Sequence, residues 1–204
     1  MGIFETAPVT FILLVANVLI SLFGFSNREF LSSNLLTTQG VLKQGQVHRT
    51  VTSGFIHANQ MHLFVNMLTL YFFGPYLEAR LGSSGFAFVY GVSLLAGSGW
   101  ALVENLKNMQ YAALGASGAV SGIVIGYCLF EPFSLLYLFF FIPIPAALFA
   151  VLYIAFSAAM SGREGKRIAH EAHLGGAVGG FVATLLIRPE AWGEFIGALS
   201  GLFS

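Results

Sequence analysis

Four side chains in this 204-residue sequence have the types and spacing for hydrolytic chemistry. Ser117 stands in Gly115-Ala116-Ser117-Gly118, where the flanking glycines permit close approach and expose the hydroxyl. A serine hydroxyl is a weak nucleophile until a base takes its proton, and His173 is the candidate base. Cleaving an amide also needs donors aimed at the developing oxyanion. His62 and Asn66 are four residues apart, so they share one face of a helix. Together with the backbone at Gly115 and Ser117, they are the candidates for that task. The chain contains no aspartate, which excludes a Ser-His-Asp triad. Glu171, the acid nearest His173, points about 200° away from it on a helix. What remains is a dyad.

These groups need elements to hold them, and composition decides their kind. Hydrophobic residues make up 56% of the chain and charged residues 9%, against about 25% charged in soluble domains. Mean hydropathy is +0.80. So little charge cannot cover a water-facing surface, which disfavours a soluble enzyme or a disordered regulator. The nine Lys+Arg balance nine Glu with no cluster of either sign, leaving no basic footprint for nucleic acid. The single Cys128 excludes an intrachain disulfide and a multi-Cys metal site, and it reads as a small core residue. The class left is an integral, multi-pass membrane protein.

A bilayer-spanning helix needs roughly 20 apolar residues. The uncharged stretches predict spanning helices near 7–25, 60–79, 84–103, 112–130, 135–157 and 169–187. That is an all-α polytopic bundle of six transmembrane helices, one domain over residues 1–204. The alternating segments of a β-barrel are missing, and the first helix lacks the basic flank and cleavage site of a signal peptide. A long first loop, 26–59, mixes polar and apolar residues and would lie in the interface or fold onto the bundle. Trp192 and Phe195, in the closing segment, suit the interface. Pro143 and Pro145 would kink the fifth helix, and with the fifth loop that helix would form a lateral way in for substrate. Gly118-Gly122-Gly126 and Gly176-Gly180 form ladders that let membrane helices approach closely.

Helix counting then brings the reactive groups together. His62 follows the first loop, Ser117 the third and His173 the fifth, and with six spans these loops share one side of the membrane. Ser117 and His173 lie about six to ten residues beyond Lys107 and Arg167, or roughly 10–15 Å at about 1.5 Å per residue. Polar groups on three helices therefore converge at similar depth, where ionisable groups are costly and mark function.

At these residues the sequence resembles the rhomboid family of intramembrane serine proteases. Gly115-Ala116-Ser117-Gly118 is similar to the family's GxSG. Ala172-His173 with Gly176 and Gly180 resembles AHxxGxxxG, and His62 with Asn66 resembles HxxxN. Glu78-Ala79-Arg80-Leu81-Gly82 resembles ExRxG, and His57 fits a recurrent position. The resemblance spans about residues 48–185. It implies Ser117 as nucleophile, His173 as general base and acid, and His62, Asn66 and Gly115 around the oxyanion. Gly118, Gly176, Gly180, Arg49, Glu78 and Arg80 would be supporting motif positions, with no cofactor and no metal. It further implies substrates that are membrane proteins with a transmembrane segment. Two departures stand out. A tryptophan-arginine pair common in the first loop reads His48-Arg49, and a tyrosine that some members place one turn after the serine is Ser121.

Blander readings compete. Ser117 could back-bond to a helix carbonyl, and His62 and Asn66 could merely bond helices together. A proteolytically inactive relative that only binds membrane segments is one alternative. A metal-dependent membrane hydrolase is another, because His170-Glu171-Ala172-His173 comes within one residue of the HExxH zinc motif. Orientation is contested. Arg28, Lys43, Arg49, Lys107, Arg163, Lys166 and Arg167 lie in the odd loops, against Arg80 and Arg188 opposite. The positive-inside rule would put the site on the cytoplasmic face. The resemblance implies the extracytoplasmic side of a bacterial inner membrane, and the expectation adopted is the latter.

Overall fold

The structure is a computed structural model that describes residues 2–138, 141–160 and 169–201. Ten α-helices occur among the described residues. The first five are α1 (Ile3–Thr6), α2 (Pro8–Ser26), α3 (Arg28–Asn34), α4 (Thr38–Gln44) and α5 (Arg49–Thr52). Then come α6 (Gln60–Glu104), α7 (Ser117–Phe130), α8 (Ala146–Met160), α9 (His170–Ile187) and α10 (Glu190–Ser200). Two short antiparallel pairs accompany them. β1 (Leu36–Thr37) pairs with β2 (Ala112–Ala113), and β3 (Leu135–Leu138) with β4 (Ile142–Pro145). The chain is mostly helical. The first and last predicted spans match α2 and α9 closely.

Two boundaries depart from expectation. The second and third helices are as expected: α6 is two helices in one continuous run, broken by a kink at Gly82, whose φ of 73° and ψ of 160° are non-helical. Positive φ favours glycine, which has no Cβ to clash. The fourth helix does not begin near 112, because Ala112–Ala113 pairs with Leu36–Thr37 and α7 starts at Ser117. The fifth does not begin near 135 either. Residues 135–145 contribute a hairpin in which Pro143 faces Tyr137 and Pro145 faces Leu135. The prolines therefore precede α8 instead of kinking it, as a residue that donates no N–H fits the edge of a two-stranded pair. The helical architecture expected is thus accompanied by two small β pairs. The fifth loop lies outside the described residues.

The molecule carries its apolar groups outward. Phe72, Val151 and Leu186 are 59%, 65% and 68% exposed, while Thr10, Asn17, Ser21, Ser93 and Thr184 are fully buried. Such an apolar surface suits lipid, where polar groups must find partners inside the protein. Both α2 and α6 are long and apolar enough to cross a membrane, and α7 is apolar but shorter. The centre is α6 against α7 and α9, around Leu70, Leu77, Phe86 and Ile123.

The Glu78-Ala79-Arg80-Leu81-Gly82 segment is a brace. Glu78 Oε1 accepts the Val9 N–H (3.0 Å) and the Ser83 hydroxyl (2.7 Å). Its Oε2 accepts the Thr10 N–H and hydroxyl, both at 2.8 Å. A carboxylate therefore caps the positive N-terminal end of α2. Arg80 pairs with Glu194 of α10 and lies 4.5 Å from the centre of the Phe130 ring. Glu78 and Arg80 sit sixteen and eighteen positions from His62, roughly 24–27 Å along a helix at about 1.5 Å per residue. Replacing Glu78 with alanine orphans buried donors, so Glu78→Ala should cost about 2–4 kcal/mol. A drop in thermal midpoint in detergent, smaller for Glu78→Gln, checks this.

Candidate active site

Ser117 is the first residue of α7, and the turn before it is held from three directions. Gly115 donates its N–H to the Ser53 carbonyl at 2.9 Å. Its φ of +115° is a backbone that side chains rarely adopt. A Cβ there would stand 2.8 Å from His62 Nε2, so the missing side chain is what lets the His62 ring lie against the turn. Ala116 donates its N–H to His57 Nε2 at 3.3 Å. That acceptor role places the His57 proton on Nδ1, which donates to Ser21 Oγ at 2.8 Å. Ser21 passes its own proton to the Phe55 carbonyl at 3.1 Å. His57 is fully buried, and burial first, then His62 beside it, lowers its pKa from 6.5 to about 3. It is a neutral strut.

The helix start matters electrostatically. The first N–H groups of a helix have no intrahelical partner, and Val120 makes the first closing bond, to the Ala116 carbonyl at 2.9 Å. Gly115 and Ala116 spend their N–H groups on Ser53 and His57. The Ser117 N–H has no hydrogen-bond partner among the described residues and lies at the positive end of α7, a place that favours an anion.

The backbone of α9 just before His173 meets this turn because α7 and α9 touch backbone to backbone. A Cβ on Gly176 would overlap the Gly118 carbonyl, and one on Gly180 would overlap Gly122. A Cβ on Gly118 would stand 3.2 Å from the Ala172 carbonyl, the residue before His173. Ser117, Gly115, Ala169 and Ala172 line a cavity of about 20 Å³, room for about one water. No hydrogen bond joins Ser117 Oγ to His173 among the described residues, a contact that commonly tightens only when substrate is bound. The His173 ring stacks on Tyr153 of α8, centroids 6.1 Å apart at 21°, and meets His170 edge-on at 5.8 Å.

The other expected residues divide. His62 lies at the turn, edge-on to His57 at 5.0 Å. Asn66 is buried one turn further, and its Nδ2 donates to the His62 carbonyl at 2.9 Å. Arg49 clamps the first loop, donating to Gln46 Oε1, Ser32 O and Leu35 O. Glu78 and Arg80 are remote braces. The spacing of the sequence did not single out Tyr153. Its only signal is Phe149 one turn earlier on α8, whose ring stacks on it at 5.8 Å and 16°.

A serine heading α7 and a histidine on α9, on either side of a glycine-packed helix crossing with an apolar exterior, point to the class. The chain belongs to the rhomboid family: the Rhomboid domain matches residues 44–190. It is 30% identical to RHOMBOID-like protein 12, mitochondrial, of Arabidopsis thaliana, over 79% of this chain and 53% of that protein. It is 33% identical to Rhomboid protein 1, mitochondrial, of Saccharomyces cerevisiae, over 64% and 39%. Rhomboid protease GluP of Bacillus subtilis is 27% identical over 84% and 32%. The chain thus spans about half the length of the first of these relatives. Family membership places it among integral membrane proteins. Two of these three relatives are mitochondrial, so a bacterial inner membrane does not follow from the matches.

Two outcomes test this geometry. Between pH 6.5 and about 3 the unfolded chain takes up a proton that folded His57 refuses, so stability falls as pH drops through that window. Thermal midpoints of the wild type should fall on acidification, and those of His57→Gln should fall less. Gly176→Ala drives a Cβ into the Gly118 carbonyl. Overpacking of this kind costs about 1–3 kcal/mol, and denaturation in detergent should show it.

Proposed function

We propose that the chain is an intramembrane serine endopeptidase that hydrolyses peptide bonds in or near transmembrane segments of membrane proteins. In this reading α2, the two halves of α6, α7, α8 and α9 are its six spans. Ser117 Oγ attacks the scissile carbonyl while His173 takes the hydroxyl proton. His173 then returns the proton to the leaving amine, and water repeats the sequence on the acyl-enzyme. The Ser117 N–H, at the positive end of α7, and His62, against Gly115, stabilise the oxyanion. Asn66 gives one amide N–H to the His62 carbonyl, and its second N–H joins His62 in support of the oxyanion. The odd-numbered loops and the site open on the extracytoplasmic side.

One observation carries the reading. The Gly115–Gly118 turn is pinned by Ser53, His57 and His62 while its serine heads a helix locked, glycine to glycine, against the helix bearing His173. A serine that only back-bonded to its helix would need none of this.

The test is cleavage of a purified single-span substrate in detergent. Ser117→Ala and His173→Ala should each lower the rate by at least about a thousandfold, as removal of members of such units does. A chelator should change nothing. Chelator-sensitive cleavage that survives Ser117→Ala would overturn the serine mechanism in favour of a metal centre.

A further inference from the structure

The family motifs leave His173 without an orienting acid and position 121 without a ring. A tyrosine from a different helix stands beside both His173 and Ser121. The Tyr153 ring lies face to face with His173, 6.1 Å between centroids at 21°, and Phe149 stacks on its other face. Its hydroxyl bonds to Ser121 Oγ. Ser121 has one hydroxyl proton, and that proton goes to the Ser117 carbonyl at 2.6 Å. Tyr153 is therefore the donor to Ser121. Its ring touches the base, and its hydroxyl leads through one serine to the backbone of the nucleophile.

Resting on Ser117 and His173 as nucleophile and base, we propose that Tyr153 is the positioning residue that aligns them. The ring face limits rotation of the imidazole, as stacked aromatic pairs favour one geometry. The hydroxyl ties that ring to the first turn of α7, so the stack and the serine move as one unit. Because Tyr153 rides on α8, whose contacts run to α7 and α9, the alignment exists only while α8 is docked. The interaction carries no charge, which suits a site with no aspartate to supply one.

The experiment measures the rate at which a fluorophosphonate labels Ser117 in the purified full chain. In that reaction Ser117 Oγ bonds to phosphorus, fluoride leaves, and His173 takes the serine proton. Labelling needs the aligned pair and no transmembrane substrate. Tyr153→Leu should slow it at least about tenfold, because misplacing a reacting group by an ångström costs up to about a hundredfold. Tyr153→Phe keeps the stack and should lose no more than about threefold. With a single-span substrate, Tyr153→Leu should lower kcat and leave KM unchanged. The His173 ring protons should move downfield in its NMR spectrum as the shielding ring face is removed. Val151→Ala, an exposed truncation on the same helix, controls for disturbance of α8 and should match wild type.

The outcomes separate the two levels. Wild type that fails to label, or Ser117→Ala that still labels, overturns the dyad and this inference with it. Wild type that labels while Tyr153→Leu labels equally fast overturns the inference alone. Slow labelling by Tyr153→Leu with unshifted His173 protons, or with an equal loss in Val151→Ala, also overturns it by showing a merely structural role.

Discussion

The fold depends on the absence of four Cβ atoms. At Gly176 and Gly180 the backbone of α7 fills the space a Cβ would need, at Gly122 Ser93 of α6 and the Gly176 carbonyl fill it, and at Gly118 a Cβ would press on the Ala172 carbonyl at 3.2 Å. Lipid offers no hydrophobic drive between helices, so association rests on close packing and interhelical bonds. The glycine seam supplies the packing. It also bears on the candidate site, because the Ala172 carbonyl, next to His173 in sequence, rests at Gly118, next to Ser117. Gly97 of α6 completes the contact, its Cα 3.1 Å from where a Cβ on Gly175 would stand. Three helices therefore meet with no side chain between them at the level of the serine.

The second constraint runs through the first loop. A turn with positive φ at Gly115 is costly unless the surroundings over-determine it. Here Ser53, His57 and His62 do so, and all three belong to the chain between α5 and the first turn of α6. The same loop is tied to the third by the β1–β2 pair and to itself by Arg49. His57 spans the gap between this loop, α2 and the serine turn, satisfying both ring nitrogens with neutral partners. A buried polar group so satisfied avoids the penalty that an unpartnered one would pay. The first loop is part of the site.

Much of this was legible in the sequence because the background is apolar. A serine, two histidines and small-residue ladders stand out in a chain with 9% charge, and helix counting placed them at one depth. The misses have physical causes. Residues 135–145 are as hydrophobic as a spanning helix, and hydropathy cannot tell a hairpin from a helix there. Pro143 and Pro145 carried the signal, and it was read as a kink. Ala112–Ala113 has no periodicity of its own and is a strand only because Leu36–Thr37 pairs with it. The bond from Asn66 Nδ2 to the His62 carbonyl was not legible, because spacing fixes the helix face and not where an amide proton goes. Tyr153 was invisible because a tyrosine in an apolar helix is ordinary until the neighbouring helix is in place.

The missing aspartate explains why such a ring would be useful. In a triad the acid orients the imidazole and stabilises the imidazolium that forms. A carboxylate at membrane depth would bring its own desolvation cost, several kcal/mol unless fully paired. An aromatic face orients without that cost, and it meets a transient imidazolium with the negative side of its quadrupole. The arrangement is weaker per contact than an acid, so it must be held rigidly. Phe149 behind Tyr153, Ser121 beneath it and the glycine seam under His173 supply that rigidity. In the mechanism proposed above an aromatic face takes the orienting role of the acid, and that role ties the three aromatic rings of the stack to the glycines of the seam.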